Sequence, residues 1–143
     1  MPQVTRWFLR MALVYLLISL LVGVLVVVPD VMAPVPPLVA ALAPVYFHAF
    51  MVGWVTQMIF GVAFWMFPKA SREQPRGNER LVWWSFWLLN VGLALRVVAE
   101  PLNSVRPGGV WGWLLVPSAL FQWAAALAFA GNIWGRVKGK MAL

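Results

Sequence analysis

The chain of 143 residues contains no cysteine, a single histidine and only four acidic residues. Without cysteine it cannot form disulfide bonds, thiolate metal sites or the thioether attachment of a c-type heme. Charged residues make up 10% of the chain, whereas 63% of it is hydrophobic. Because a soluble domain of this size cannot bury so much apolar surface, the composition predicts an integral membrane protein.

The sequence also lacks a glycine-rich phosphate loop, paired carboxylates and a nucleophile triad, so soluble-enzyme chemistry is not expected. The formal net charge of +7 does not indicate nucleic-acid binding. The lysines and arginines lie beside apolar stretches, where they orient a membrane protein and contact anionic lipid. The lipid bilayer is therefore the expected partner, and nucleic acid is not.

Four apolar stretches are each long enough to cross a bilayer as an α-helix. They predict one transmembrane domain over residues 1–143, an all-α membrane protein built as a four-helix bundle. The first stretch is too long for a signal peptide and has no small-residue cleavage site after it, so we expect it to be retained. The predicted spans are roughly 7–28, 38–67, 81–99 and 110–134.

Prolines are expected to punctuate these spans. Pro29 should end the first span, and the pair Glu100 and Pro101 should end the third. Pro44 should kink or restart the second span near the membrane surface, and Pro117 should kink the fourth.

The basic residues predict the orientation. Nine lysines and arginines lie on one side of the spans: before the first span, between the second and third, and after the fourth. Only Arg96 and Arg106 lie on the other side. Basic residues are retained in the cytoplasm, so both termini are expected to be cytoplasmic in a multi-pass protein of a bacterial inner membrane. His48 then lies in the outer half of the second span, on the same side as Arg96 and Arg106.

His48 is the first candidate for function, because a titratable ring inside hydrocarbon is costly and usually has a role. Its neutral imidazole could be an axial ligand to heme iron, which would make His48 the metal-binding residue. The alternative is a histidine that only forms hydrogen bonds near the kink at Pro44.

The helix that carries His48 offers a candidate surface for a flat macrocycle. At α-helical spacing, Val52, Val55 and Ile59 form one apolar stripe. Gly53 and Gly61 remove side chains where a ring could press, although small residues also serve ordinary packing between membrane helices.

Arg96 and Arg106 are candidates to bind the two propionates of heme, since a guanidinium binds a carboxylate in a two-bond fork. Glu100 follows Arg96 by four residues on the same helical face. The alternative for Arg96 is therefore an ion pair within its own helix.

Five further polar residues lie inside predicted spans and are expected to form hydrogen bonds between helices, although a quinone site could use them. They are Gln57, Asn90, Ser118, Gln122 and Asn132.

The run HAFMVGWVTQMIFGVAFWMFP, which begins at His48 and ends at Pro68, resembles the second transmembrane helix of the catalytic subunit of heme-copper oxidases and nitric oxide reductases. It is also similar to small membrane proteins related to that subunit. His48, Gly61 and Pro68 match the family pattern, and WWSFWLLNVGLALRVVAEP resembles the third helix less specifically. The resemblance covers about 60 of the 143 residues and implies that His48 binds a b-type heme.

The family's catalytic subunit has many more spans, and this chain has no second histidine for a copper site. The resemblance therefore implies one heme b site and not oxygen or nitric oxide reduction. A second copy in a homodimer or a methionine could complete the site, or the iron could stay open to a gas. The expected role is electron transfer or diatomic gas binding, as a cofactor carrier and not a stand-alone enzyme. The alternative is a cofactor-free accessory subunit of a larger respiratory complex.

The orientation can be tested with topology reporters. Fusions after Leu143 should report the cytoplasm, and fusions within residues 34–37 should report the outside. The reason is that nine basic residues lie on the same side of the spans as Leu143, and basic residues are retained in the cytoplasm. A cytoplasmic signal at residues 34–37 would reverse the orientation and place His48 in the inner half.

Overall fold

The computed structural model describes residues 1–32, 36–70 and 75–137, with the side chains of 29–32 excepted. This part of the chain is helical and contains no strand. Four helical stretches are long and apolar enough to cross a membrane, which confirms the all-α, four-span prediction; the orientation stays a prediction. The elements are α1 (Gln3–Met32), α2 (Pro37–Ala40), α3 (Ala43–His48), a π-helix (Ala49–Thr56), α4 (Gln57–Met66), α5 (Glu79–Val105) and α6 (Val110–Trp134).

The bundle consists of two hairpins. The second span, Pro37–Met66, packs along α1, and α5 packs along α6. The hairpins meet mainly where α5 touches α3 and the π-helix. Lipid tails are as apolar as the side chains, so close packing and interhelical hydrogen bonds must hold these hairpins together.

An aromatic cluster fills the half of the bundle away from His48. The rings of Phe60 and Phe129 stack with centroids 3.9 Å apart and planes at 4°. The ring of Phe8 meets that of Phe86 edge to face at 5.2 Å. The buried members of this cluster are Val4, Phe8, Phe64, Val82, Phe86, Leu89, Ala125, Phe129 and Ile133.

Two glycines let α1 approach the second span. A Cβ atom at Gly53 would lie 2.5 Å from Cγ of Tyr15, and one at Gly61 would lie 2.9 Å from Cβ of Phe8. Side chains other than hydrogen cannot be accommodated at such distances without a shift of the helices. Both glycines therefore allow close packing between helices, which was one of the two interpretations that the sequence left open.

The second span begins in two steps. After α2, the chain turns and starts again at α3, with Pro44 in the first turn, where its missing N–H costs nothing. The predicted restart at Pro44 is thus confirmed. His48 ends α3, and the π-helix follows directly.

The π-helix changes which side chains share a face. Its wider turn replaces the α-helical spacing on which the stripe of Val52, Val55 and Ile59 was predicted. Val52 packs against both core clusters, whereas Ile59 is 56% exposed. The prediction of one continuous wall is therefore wrong, because a π-helix was not anticipated.

Two prolines do not end helices where the sequence predicted. α1 continues past Pro29 to Met32, and α5 continues through Pro101 to Val105. In α5 the Ser104 hydroxyl donates to the Glu100 carbonyl at 2.9 Å, and Pro101 itself is buried. Proline is tolerated inside membrane helices where neighbouring helices pack against it, and the burial of Pro101 is of this kind.

The other end of the second span is capped by a buried cation. Arg136 donates from Nη2 to the carbonyl oxygens of Phe64 at 2.9 Å and Phe67 at 2.8 Å, and from Nε to that of Pro68 at 2.9 Å. These carbonyls have no partner within α4, because the helix ends there. A cation is favourable at a helix C-terminus, so Arg136 stabilises this end as well as contributing to topology.

Replacement of Gly53 by alanine should lower the free energy of unfolding by about 1–3 kcal/mol, because the new methyl group overlaps Tyr15. Gly131→Ala is the control, since its added Cβ meets nothing within 4 Å among the described residues. Unfolding in mixed micelles measures both. In a Tyr15→Ala background the cost of Gly53→Ala should largely disappear, and equal costs for the two glycines would contradict the packing.

Candidate functional site

His48 is held by contacts at both ring nitrogens. Its Nδ1 lies 2.9 Å from the carbonyl oxygen of Pro44 and 3.0 Å from Oε2 of Glu100. Its Nε2 lies 3.0 Å from Nη1 of Arg96. The histidine therefore joins the second span to α5, in the outer half predicted from the sequence.

These partners determine where the ring proton sits. Arg96 can only donate, so Nε2 must accept and carry the lone pair. Pro44 can only accept through its carbonyl, so Nδ1 must carry the proton. The contacts thus select the tautomer of His48 that is protonated at Nδ1.

Arg96 connects three spans. Besides His48, its Nη1 lies 3.7 Å from Oε1 of Glu100, and its Nε donates to the Ser118 hydroxyl at 3.4 Å. Ser118 in turn donates to the carbonyl oxygen of Gly92 at 2.7 Å and accepts from Gln122 at 3.2 Å. The predicted Arg96–Glu100 pair is therefore present, but it belongs to a larger network.

The charges of this network nearly cancel. Arg96 is positive, Glu100 is negative, and the contacts of His48 are those of a neutral ring. Their side chains are only 29%, 20% and 16% exposed for His48, Arg96 and Glu100. An unpaired charge at such a site would be expensive, whereas a compensated pair is tolerated.

One acceptor in the network is incompletely used. Oε2 of Glu100 is buried and accepts no hydrogen bond of good geometry from the described residues. Its short distance to Nδ1 does not change this, because the Nδ1 proton is directed to Pro44. Buried acceptors of this kind are uncommon and often mark functional positions.

A second polar contact lies deeper in the bundle. Gln57 and Asn90 exchange two amide hydrogen bonds, at 3.2 and 3.1 Å, and Asn90 also donates to the Phe86 carbonyl at 2.8 Å. This confirms the predicted hydrogen bonding between helices for both residues. Asn132 likewise donates to the Asn78 carbonyl at 2.9 Å.

The remaining predicted cofactor residues do not gather around the imidazole. Gly53 is buried under Tyr15, and Val52 packs in the core. Val55 is half-buried in the π-helix. Arg106 is exposed and caps α5, about 15 Å beyond Arg96 at the usual rise per residue. Of the predicted set, the structure brings together His48 and Arg96.

Sequence reasoning placed these two on one side of the membrane but missed their direct contact. It also missed Ser118 as the partner of Arg96, and the π-helix after His48. A helix-breaking Pro44 four residues before His48 was the available signal for the Nδ1 contact, because a broken helix start leaves a carbonyl near that ring.

The described part of the chain contains no group of three or more histidine and acidic side chains that could hold a metal ion. Comparison with known proteins gave no matching family model, no matching curated protein and no matching solved structure. The resemblance to the heme-copper oxidase catalytic subunit therefore stays a prediction.

Proposed function

We propose that the chain is a membrane-embedded b-type heme-binding protein whose axial ligand is Nε2 of His48. The observation that carries this proposal is the anchoring of Nδ1 by the Pro44 carbonyl, with Glu100 beside it. Metal-binding histidines almost always donate their second nitrogen in this way, which fixes the ring and directs the lone pair of the other nitrogen outward.

The residues present fit a heme at this atom, on one condition. Arg96 now donates to Nε2, so its guanidinium must leave that nitrogen before iron can bind there. A guanidinium released from Nε2 is suited to bind a propionate, since it offers a two-bond fork to carboxylates. Arg96 is thus proposed to hold Nε2 in the heme-free chain and a propionate in the loaded one.

Glu100 supports both arrangements. It compensates Arg96 at 3.7 Å and lies 3.0 Å from Nδ1 of His48. A carboxylate at Nδ1 raises the basicity of the opposite nitrogen, so Glu100 strengthens Nε2 as a ligand. Arg106 is proposed as a second propionate partner at the mouth of the bundle, where it is exposed.

Bound at His48, heme b would supply a one-electron couple; it would bind a diatomic gas only in the alternative where the iron's second axial position stays open. The chain supplies one imidazole, so a second copy is proposed to provide the other ligand in a symmetric homodimer. The partly exposed edge of the His48 ring is accessible to such a partner. We place this heme carrier in a bacterial inner membrane, in a respiratory setting.

A second candidate function is a cofactor-free accessory subunit of a respiratory membrane complex. The contact between Arg96 and Nε2 favours it, because the imidazole is fully hydrogen-bonded within the chain. In that case the network only locks the second span to its neighbours. The two candidates differ in whether purified protein carries heme.

Protein purified after expression with ample heme should show a Soret band, and His48→Gly should abolish it while helical content is retained. Added imidazole should restore the band in His48→Gly, because the small ligand fills the space of the lost ring. The shared site predicts about one heme per two chains. Absorbance, heme assay and circular dichroism measure these quantities.

The control is the same variant without imidazole. A colourless wild-type protein, or a Soret band unaffected by His48→Gly, would contradict the heme proposal and favour the accessory subunit. One heme per chain with a spectrum sensitive to carbon monoxide would support heme binding at His48. It would contradict the site shared by two chains and indicate an iron with an open coordination position.

A further inference from the structure

A basic pocket lies at the opposite end of the second span from His48, about 25 Å away along the helix axis. Its volume is about 400 Å³. The pocket lies where the end of the second span, the segment that follows it and the end of α6 meet. It is lined by Trp65, Phe67, Lys69, Arg76 and Arg136, together with two prolines. This basic pocket is separate from the histidine network and independent of any heme.

Arg136 forms the floor of the basic pocket. Its side chain is only 1% exposed. Three of its five N–H groups reach the carbonyls that end the second span, all within 2.9 Å. Nη1 has only a long contact, 3.5 Å to the Arg76 carbonyl, which leaves one of its protons without an acceptor among the described residues.

No described carboxylate lies within 4 Å of the cations of the basic pocket; Glu79 lines a neighbouring pocket with Arg76. Among the side chains that the structure describes, the ion pair shorter than 4 Å is that of Arg96 and Glu100, at the other end of the bundle. The oxygen partners of Arg136 in the described part of the chain are neutral carbonyls. Burial, followed by the positive charge of Arg76, lowers the pKa of Arg136, as expected where cations gather without an anion.

We propose that the basic pocket binds a phosphate group, supplied by the headgroup of an anionic phospholipid. Guanidinium groups donate pairs of charge-assisted hydrogen bonds to phosphate oxygens, and Lys69 adds a further cation. Trp65 and Phe67 are exposed apolar side chains beside these cations, and tryptophan is favoured at the level of lipid headgroups. The predicted cytoplasmic side is also where anionic lipid attracts basic residues.

Two other occupants have related chemistry. Free inorganic phosphate would use the same cations without the apolar rim. The carboxylate of Glu73 belongs to residues 71–74, which lie outside the described part of the chain, and it is the internal alternative. The experiment therefore has an arm for each.

The test measures the thermal stability of delipidated protein in a neutral detergent during titration with short-chain phosphatidylglycerol, phosphatidylcholine or inorganic phosphate. Phosphatidylglycerol should raise Tm saturably, and phosphatidylcholine should not. The double variant Lys69→Gln/Arg76→Gln should weaken the apparent affinity by about tenfold or more, since each cation near a lipid surface contributes appreciably. Arg6→Gln/Arg10→Gln is the matched control, because it removes two exposed cations on the same predicted side and should change little.

Equal effects of the two lipids, or equal losses in Arg6→Gln/Arg10→Gln and Lys69→Gln/Arg76→Gln, would overturn the pocket as a specific site. Stabilisation by inorganic phosphate with the same residue dependence would support the phosphate site. It would contradict the proposal that a lipid headgroup supplies the phosphate. If Glu73→Gln lowers Tm in the lipid-free protein and creates or strengthens lipid binding, the native occupant is the chain's own carboxylate and the proposal fails.

Discussion

The hydrogen bond between Arg96 and Nε2 of His48 is the contact on which the half of the bundle around His48 depends. It joins the second span to α5, and through Ser118 the same guanidinium reaches α6. Glu100 compensates the charge one helical turn away. In hydrocarbon each of these groups would be costly alone, so the network exists as a unit or not at all.

The rest of the bundle is held by contacts that suit the absence of water. Glycines bring α1 against the second span, and the amides of Gln57 and Asn90 join the hairpins at mid-depth. At the far end, Arg136 binds the carbonyls left open where α4 stops. Cationic side chains thus contact the second span at His48 and at its C-terminal end. Arg96 has an acidic partner, whereas Arg136 has only backbone oxygens among the described residues.

The sequence predicted those features of the fold and of the candidate site that follow from composition and from the spacing of nearby residues. Apolar length predicted four helical spans, and a spacing of four predicted the Arg96–Glu100 pair. It did not predict the continuation of α5 through Pro101, because that depends on burial of the proline in the packed bundle. Nor did it predict the capping role of Arg136, since that depends on partners distant in sequence. The π-helix after His48 was missed as well, because no pattern in the sequence signalled it. The sequence therefore predicted His48 and Arg96 as candidate residues, but it did not predict the contact between them.

The position of the proton on His48 tests the network most directly. The chain has one histidine, so ¹⁵N nuclear magnetic resonance of histidine-labelled, heme-free protein at about pH 8 reports this ring alone, under conditions where free imidazole is neutral. The contacts predict a proton on Nδ1, a lone pair on Nε2, and a correlation from Nε2 to a guanidinium proton of Arg96. A proton on Nε2 would contradict the network, because Arg96 cannot donate to a nitrogen that is itself a donor.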